Sequence, residues 1–245
     1  MKNLFVVTGA SRGIGKALAL AIDREFGNDE NRFILIARSR EKLEELSEML
    51  DGESIVAACD LSFVEKSIEM IEKIFEKTEK DFSRYVLVNN AGIIEPIGFV
   101  GTLETSEIVR NINVNLTSAL ALTNLFLNFF GKVKGEKIIV NISSGAGRMP
   151  IVCWSAYCSS KAGMDMMAKV IAEENSAVKI FSVAPGIIET DMQKVIRSSP
   201  KERFPLLDQF VMFEKSNRLK TPKSSAREIV SVIKNPDRFE TIVSF

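Results

Sequence analysis

Two side chains in the stretch "AYCSSKAG", Ala156 to Gly163, are of types that can move protons: Tyr157 and Lys161. Their spacing of four places a phenol and an ammonium one turn apart on the same face of a helix. The chain has 245 residues and no histidine. Ser-His-Asp hydrolysis, Cys-His proteolysis and histidine-ligated zinc are therefore excluded. Any proton transfer falls to Tyr, Lys, Asp, Glu, Ser or Cys.

A second stretch, "TGASRGIG" at Thr8 to Gly15, follows an apolar run and opens a helical pattern. Gly9 allows a sharp turn, Gly13 lets the backbone approach a phosphate, and Gly15 lets helix and strand pack closely. Free N–H groups at the helix start then favour a pyrophosphate. The next strand ends "FILIARSR". A dinucleotide without a 2′-phosphate needs an acidic residue near this point for its ribose hydroxyls. Ala37 and Arg38 stand there instead, and Arg12 sits in the glycine loop. Two guanidiniums can clamp a dianionic phosphate, so the expected cofactor is NADP(H).

The elements that must position these residues are legible as short apolar runs alternating with helical periods. Strands are expected at Leu4–Thr8, Phe33–Ala37, Ile55–Ala58, Tyr85–Asn89, Lys137–Ile142, Val178–Val183 and Thr241–Val243. Their continuous apolar character suits a mostly parallel sheet buried on both faces. Helices are expected at Ile14–Phe26, Arg40–Leu50, Phe63–Glu79, Asn115–Phe130, Tyr157–Glu174 and Ser224–Lys234, with Leu43, Leu46 and Leu50 marking the period of one. This alternation predicts an α/β, Rossmann-like doubly wound fold with seven strands, built as a single domain over residues 1–245. The interval from Ile187 to Thr221 is too long for a simple connection. It reads either as an extra pair of helices on the core or as a substrate lid at the carboxyl end of the sheet, and its position favours the lid.

Apolar residues make up 46% and charged residues 26%, and Lys+Arg balances Asp+Glu at 32 each. No net charge draws the chain to nucleic acid or an anionic membrane. No apolar run reaches the roughly 18 residues of a transmembrane helix, and the N-terminal "MKNLFVVTGAS" reads as a first strand, not a signal peptide. Cys59, Cys153 and Cys158 form no paired framework and no metal spacing. A reducing cytoplasm and no metal are expected.

With TGASRGIG, "NNAG" at Asn89–Gly92, "NVN" at Asn113–Asn115, "NISSGAG" at Asn141–Gly147, "AYCSSK" and "APG" at Ala184–Gly186, the chain resembles the short-chain dehydrogenase/reductase family from Leu4 to about Met192. The resemblance implies that Tyr157 is the acid/base that protonates a carbonyl oxygen while hydride arrives from a nicotinamide. Bringing a phenol from pKa near 10 to neutrality asks for about 4 kcal/mol, and a nearby ammonium in a partly desolvated cleft can supply such a shift. Lys161 is thus expected to lower the phenol's pKa and, by resemblance, to hold the nicotinamide ribose. Ser144, thirteen residues before Tyr157, would hold the substrate carbonyl; Ser143 is the neighbour that could be confused with it. Asn115 would hold a water linking Lys161 to solvent. The cofactor set implied by the resemblance adds Ser11 and Ile14 in the glycine loop, Asp60 and Leu61 at the adenine, Asn90, Ala91, Gly92 and Val114 along the cleft, and Pro185, Gly186, Ile188 and Thr190 toward the carboxamide.

The stretches "NVNLTSALALT", "CWSAYCSSKAGMDMM" and "PGIIETDMQ" look closest to the sepiapterin reductase and benzil reductase branch. Trp154 and the lid residues Met192, Phe210 and Met212 predict an apolar, aromatic substrate pocket. Met164, Met166 and Met167 read as core or as part of a homodimer interface, since this helix and the one from Asn115 pair between subunits in the family. One departure stands out: sepiapterin reductases carry a pterin-gripping aspartate near the C-terminus, where Ser244 stands here. The expectation is an NADPH-dependent carbonyl reductase acting on a ketone or α-dicarbonyl. Sepiapterin reductase activity, or a non-catalytic NADP(H)-binding sensor, are the alternatives.

Overall fold

A computed structural model describes residues 1–27, 30–216 and 218–245. The strands are β1 (Lys2–Thr8), β2 (Glu30–Ala37), β3 (Glu53–Ala58), β4 (Arg84–Asn89), β5 (Glu136–Ile142), β6 (Val178–Ala184) and β7 (Ile242–Ser244). The helices are α1 (Gly13–Glu25), α2 (Arg40–Ser47), α3 (Val64–Lys77), α4 (Thr105–Ile112), α5 (Ser118–Phe130), α6 (Ser155–Glu174), α7 (Asp191–Arg197), α8 (Leu207–Lys215) and α9 (Pro222–Lys234). One sheet of seven strands runs β3-β2-β1-β4-β5-β6-β7, and each neighbouring pair is parallel. It is the doubly wound, Rossmann-like α/β fold, with parallel pairing throughout.

The apolar runs are continuous because alternate strand residues feed opposite cores. Phe5 and Val7 of β1, with Val86 and Val88 of β4, face Leu18 and Ile22 of α1, Leu43 and Leu46 of α2, and Ile229 and Ile233 of α9. Leu4, Val6 and Leu87 face Ile71 and Phe75 of α3, Phe126 and Phe130 of α5, and Ile171 of α6. Burying each such side chain is worth about 1.5–3 kcal/mol. Local signals set the ends. Ser39 caps α2 by accepting the Lys42 N–H, and Thr221 caps α9 ahead of Pro222 by accepting that of Ser224.

Strand order reverses between β1 and β4, which opens a crevice at their carboxyl ends. A third apolar cluster sits above that edge: Ile94, Trp154, Tyr157, Ile196, Phe204 and Phe210. The long interval folds into helices α7 and α8, which contribute Ile196 and Phe210 to this cluster. Arg197 ties them together, with a bidentate contact to Glu189 at 2.7 and 2.9 Å and a second to Glu214 at 3.1 Å.

Candidate active site

The glycine loop is pinned to the turn after β4 by two side chains. Thr8 Oγ1 accepts the N–H groups of Asn90 and Ala91 at 2.9 and 3.0 Å, and Asn90 Nδ2 donates to the Thr8 carbonyl at 2.8 Å. Gly9 and Gly13 have φ of +65° and +56°, where a side chain is strained. A Cβ on Gly15 would stand 2.2 Å from the Gly9 carbonyl oxygen. Helix α1 starts with no side-chain cap and no acid in its first turn, so its N–H groups stay available to an anion. A cradle of this shape fits a dinucleotide pyrophosphate.

The crevice is one cleft of about 1130 Å³. It is lined by Gly9, Ser11, Arg12, Gly13, Ile14, Arg38, Asp60, Leu61, Asn90, Ala91, Gly92, Val114, Pro185, Gly186, Ile188 and Thr190, and further along by Ser144, Trp154, Tyr157, Lys161 and Met192. Of the expected catalytic and cofactor residues, Gly15 and Asn115 lie behind the wall. Burial pushes the Asp60 carboxyl up, but the Ser62 amide that it accepts and the charges of Arg38 and Arg110 outweigh this and hold it low. Arg110 and Lys42 also line this end, and sequence reasoning missed both. Arg12 is engaged elsewhere, in an ion pair with Asp191 at the start of α7, 2.9 Å away.

Tyr157 lies in the first turn of α6, nearly buried, with Lys161 Nζ 5.6 Å from its ring centroid. The Ser144 hydroxyl lies close enough to the phenol to pull its pKa down and is itself oriented by the Ala146 N–H, which it accepts at 3.2 Å. Ser143 points the other way, donating to the Lys161 carbonyl oxygen at 3.4 Å. The geometry thus separates the two serines. The expected lowering of the phenol's pKa is not found. Burial pushes Tyr157 up to about 12, against the lesser pull of Ser144. Burial likewise brings Lys161 down to about 8, with Asp165 as the opposing charge. Lys161 Nζ donates to the Ile142 carbonyl at 2.8 Å and touches Met164 Sδ at 3.5 Å. Desolvation dominates both shifts because both groups are shut away from water.

Asn115 belongs to a π-helical turn, Asn113–Thr117, between α4 and α5, a feature that often marks functional sites. Its Oδ1 accepts the Ile93 N–H at 2.8 Å. Its Nδ2 donates to the Ile93 carbonyl, Asn111 Oδ1 and Ser160 Oγ at 2.8, 3.0 and 3.2 Å. A Cβ on Gly92 would stand 3.3 Å from Asn115 Oδ1 and 3.6 Å from Lys161 Nζ. Asn115 therefore binds the cleft wall to α6 immediately beside the lysine.

Trp154 stands edge-on to Tyr157 (5.7 Å, 83°) and stacks on Phe204 (5.4 Å, 12°). The residue before it, Cys153, has φ of +70°, a strained value of the kind that clusters at functional sites. Met192 and Phe210 face the cleft as expected. Met212 does not: it is 68% exposed, and Phe213 lines the cleft instead. Two buried polar atoms of the wall, Trp154 Nε1 and Gln193 Oε1, have no hydrogen-bond partner among the described residues. Ser244 reaches the rim, where its hydroxyl accepts from Arg148. Met164 and Met167 are core, whereas Met166 is exposed.

The chain is similar to known proteins over most of its length. Benzil reductase ((S)-benzoin forming) of Bacillus subtilis (strain 168) is 35% identical over 236 residues, covering 94% of this chain and 93% of that one. Sepiapterin reductase of Mus musculus is 34% identical over 206 residues, covering 80% and 78%. The crystal structure of the KRED1-Pglu enzyme superposes with a TM-score of 0.86 at 30% identity, covering 98% of this chain and 99% of that one. The family model described as short chain dehydrogenase matches residues 3–201. With that match spanning both the glycine loop and the Tyr157–Lys161 turn, the chain belongs to the short chain dehydrogenase family of oxidoreductases, on its benzil reductase and sepiapterin reductase side.

Proposed function

We propose that this protein is an NADPH-dependent carbonyl reductase that converts an aryl ketone or α-dicarbonyl to the alcohol. The observation that carries the reading is a single cleft running from the glycine loop to an aromatic chamber, with Ser144, Tyr157 and Lys161 where the two meet. A nicotinamide dinucleotide, when bound, supplies the hydride. The glycine loop and the start of α1 hold its pyrophosphate, and Arg38 with Lys42 favours a 2′-phosphate. Ser144 holds the substrate carbonyl. The Tyr157 O–H bond breaks and its proton passes to the carbonyl oxygen, a step worth about 10²- to 10⁴-fold. A phenol held at about 12 is fully protonated at neutral pH and ready to donate. The phenolate left behind is held by Ser144 and the Lys161 ammonium, and Asn115 keeps the wall beside that lysine in place.

Leu120 of α5 and Met166 and Val170 of α6 are exposed apolar residues, on the two helices that we assign to a homodimer contact. Three free cysteines fit a cytoplasmic setting. The sepiapterin reading is favoured by one observation, the unpaired Trp154 Nε1 and Gln193 Oε1, which a polar pterin ring could satisfy. Against it, Ser244 is held by Arg148 and offers no charge for gripping a pterin. The test is kcat/KM with NADPH at neutral pH for benzil or phenylpropanedione beside that for sepiapterin. The diketone is expected to be the better substrate. A preference for sepiapterin would reverse the substrate assignment, and cofactor binding without turnover of either would leave a sensor.

A further inference from the structure

Behind the proposed proton donor lies a buried network that the reaction itself does not use. Asp165 sits on α6 one turn beyond Lys161, and its side chain is 9% exposed. Arg148 Nε donates to its Oδ2 at 2.8 Å and Ser182 Oγ of β6 donates to its Oδ1 at 2.5 Å, while the nearby Ser143 hydroxyl also favours the charged carboxylate. Arg148 in turn donates to the carbonyls of Ser182 and Val243 and to the Ser244 hydroxyl. Gly147 is pressed so close to α6 that a Cβ would stand 2.8 Å from the Lys161 carbonyl carbon. One carboxylate thus joins the turn after Ser144, strands β6 and β7, and the helix that carries Tyr157 and Lys161.

We infer that Asp165 is a positioning residue, which clamps the Ser143–Arg148 turn against α6 and supplies the counter-charge that keeps the Lys161 side chain an ammonium in the dry cleft. The inference rests on the cofactor-binding reading above. The charged groups facing Asp165 are Arg148, from the turn after β5, and Lys161 on its own helix. The turn after β5 adds the hydroxyl of Ser143, β6 adds that of Ser182, and β7 acts through Arg148. The sign is then fixed. Without the carboxylate, Lys161 is left with burial and the uncompensated Arg148, and both favour the neutral amine. Without Arg148, the carboxylate serves Lys161 alone.

The test follows NADPH affinity, by quenching of Trp154 fluorescence, from neutral to alkaline pH in the full chain. Tyr157, pushed up to about 12, keeps its proton across that range, so the alkaline loss of affinity reports Lys161, which burial brings to about 8. Asp165→Asn should move that loss toward lower pH by about one unit, a tenfold weaker affinity on the alkaline side. Asp165→Glu should restore the wild-type position. Arg148→Gln should move the loss toward higher pH, and it decides the matter if Asp165→Asn does not fold. A loss of affinity equal at every pH, or a profile that stays in place in both variants, overturns the inference. A wild-type chain that binds no NADPH at any pH overturns the reading of the cleft, and this inference with it.

Discussion

Replacing Tyr157 by Phe deletes one oxygen and one transferable proton while keeping a ring that packs against Trp154 at 5.7 Å. Burial raises the phenol from 10 to about 12, and each pH unit is about 1.4 kcal/mol. The folded site therefore disfavours phenolate by about 3 kcal/mol relative to water. Two consequences can be separated by experiment. Carbonyl reduction, which needs the protonated phenol, should hold a flat kcat from neutral pH until Lys161 loses its proton near 8. Alcohol oxidation, which needs the phenolate, should be slow at neutral pH and climb with pH. The Phe variant should lose about 10²-fold or more of kcat in reduction, with NADPH affinity within about threefold of wild type. Initial rates in both directions against pH, by NADPH absorbance, measure all of this. Oxidation that saturates near neutral pH, or a Phe variant keeping a tenth of the activity, would show that Tyr157 does not act as the buried acid described.

Three further outcomes are expected. Arg38→Asp should erase an NADPH-over-NADH preference in kcat/KM of at least about tenfold, some 1.4 kcal/mol, because Arg38 lines the cleft while Arg12 is paired with Asp191. Ser144→Ala should lower kcat far more than Ser143→Ala, whose hydroxyl faces Asp165 and the Lys161 backbone; the reverse ranking would move the site by one residue. Gly15→Ala forces a Cβ to 2.2 Å from backbone, so thermal melting should fall by several degrees and NADPH binding should weaken; an unchanged Tm would mean the loop can yield.

The sheet and the cofactor cradle were legible because their signals are local. Strands buried on both faces read as unbroken apolar runs, and the glycines mark positions where only backbone fits. Helix α4 was missed for the opposite reason: it has only eight residues, its one fully buried residue is the polar Asn111, and its apolar Ile108, Val109 and Ile112 are half-buried or exposed. The sense of the Tyr157 shift was misread because sequence shows the Lys161 neighbour but not the depth of burial that drives the phenol's pKa upward. Arg148 and Asp165 were invisible as a pair, since nothing in a seventeen-residue separation signals an ion pair that also reaches β7. Long-range polar partners carry no period.

The π-helical turn at Asn113–Thr117 has a bearing on protein engineering. Successive residues of a regular helix turn by about 100°, so one residue removed there would swing Asn115 away from Ile93 and Ser160. A stabilisation campaign that idealised α4 through α5 into one uninterrupted helix would then raise the melting temperature and take the activity with it. The irregularity fixes which residue of that helix looks toward Lys161, and screens that select on heat resistance alone will tend to discard it.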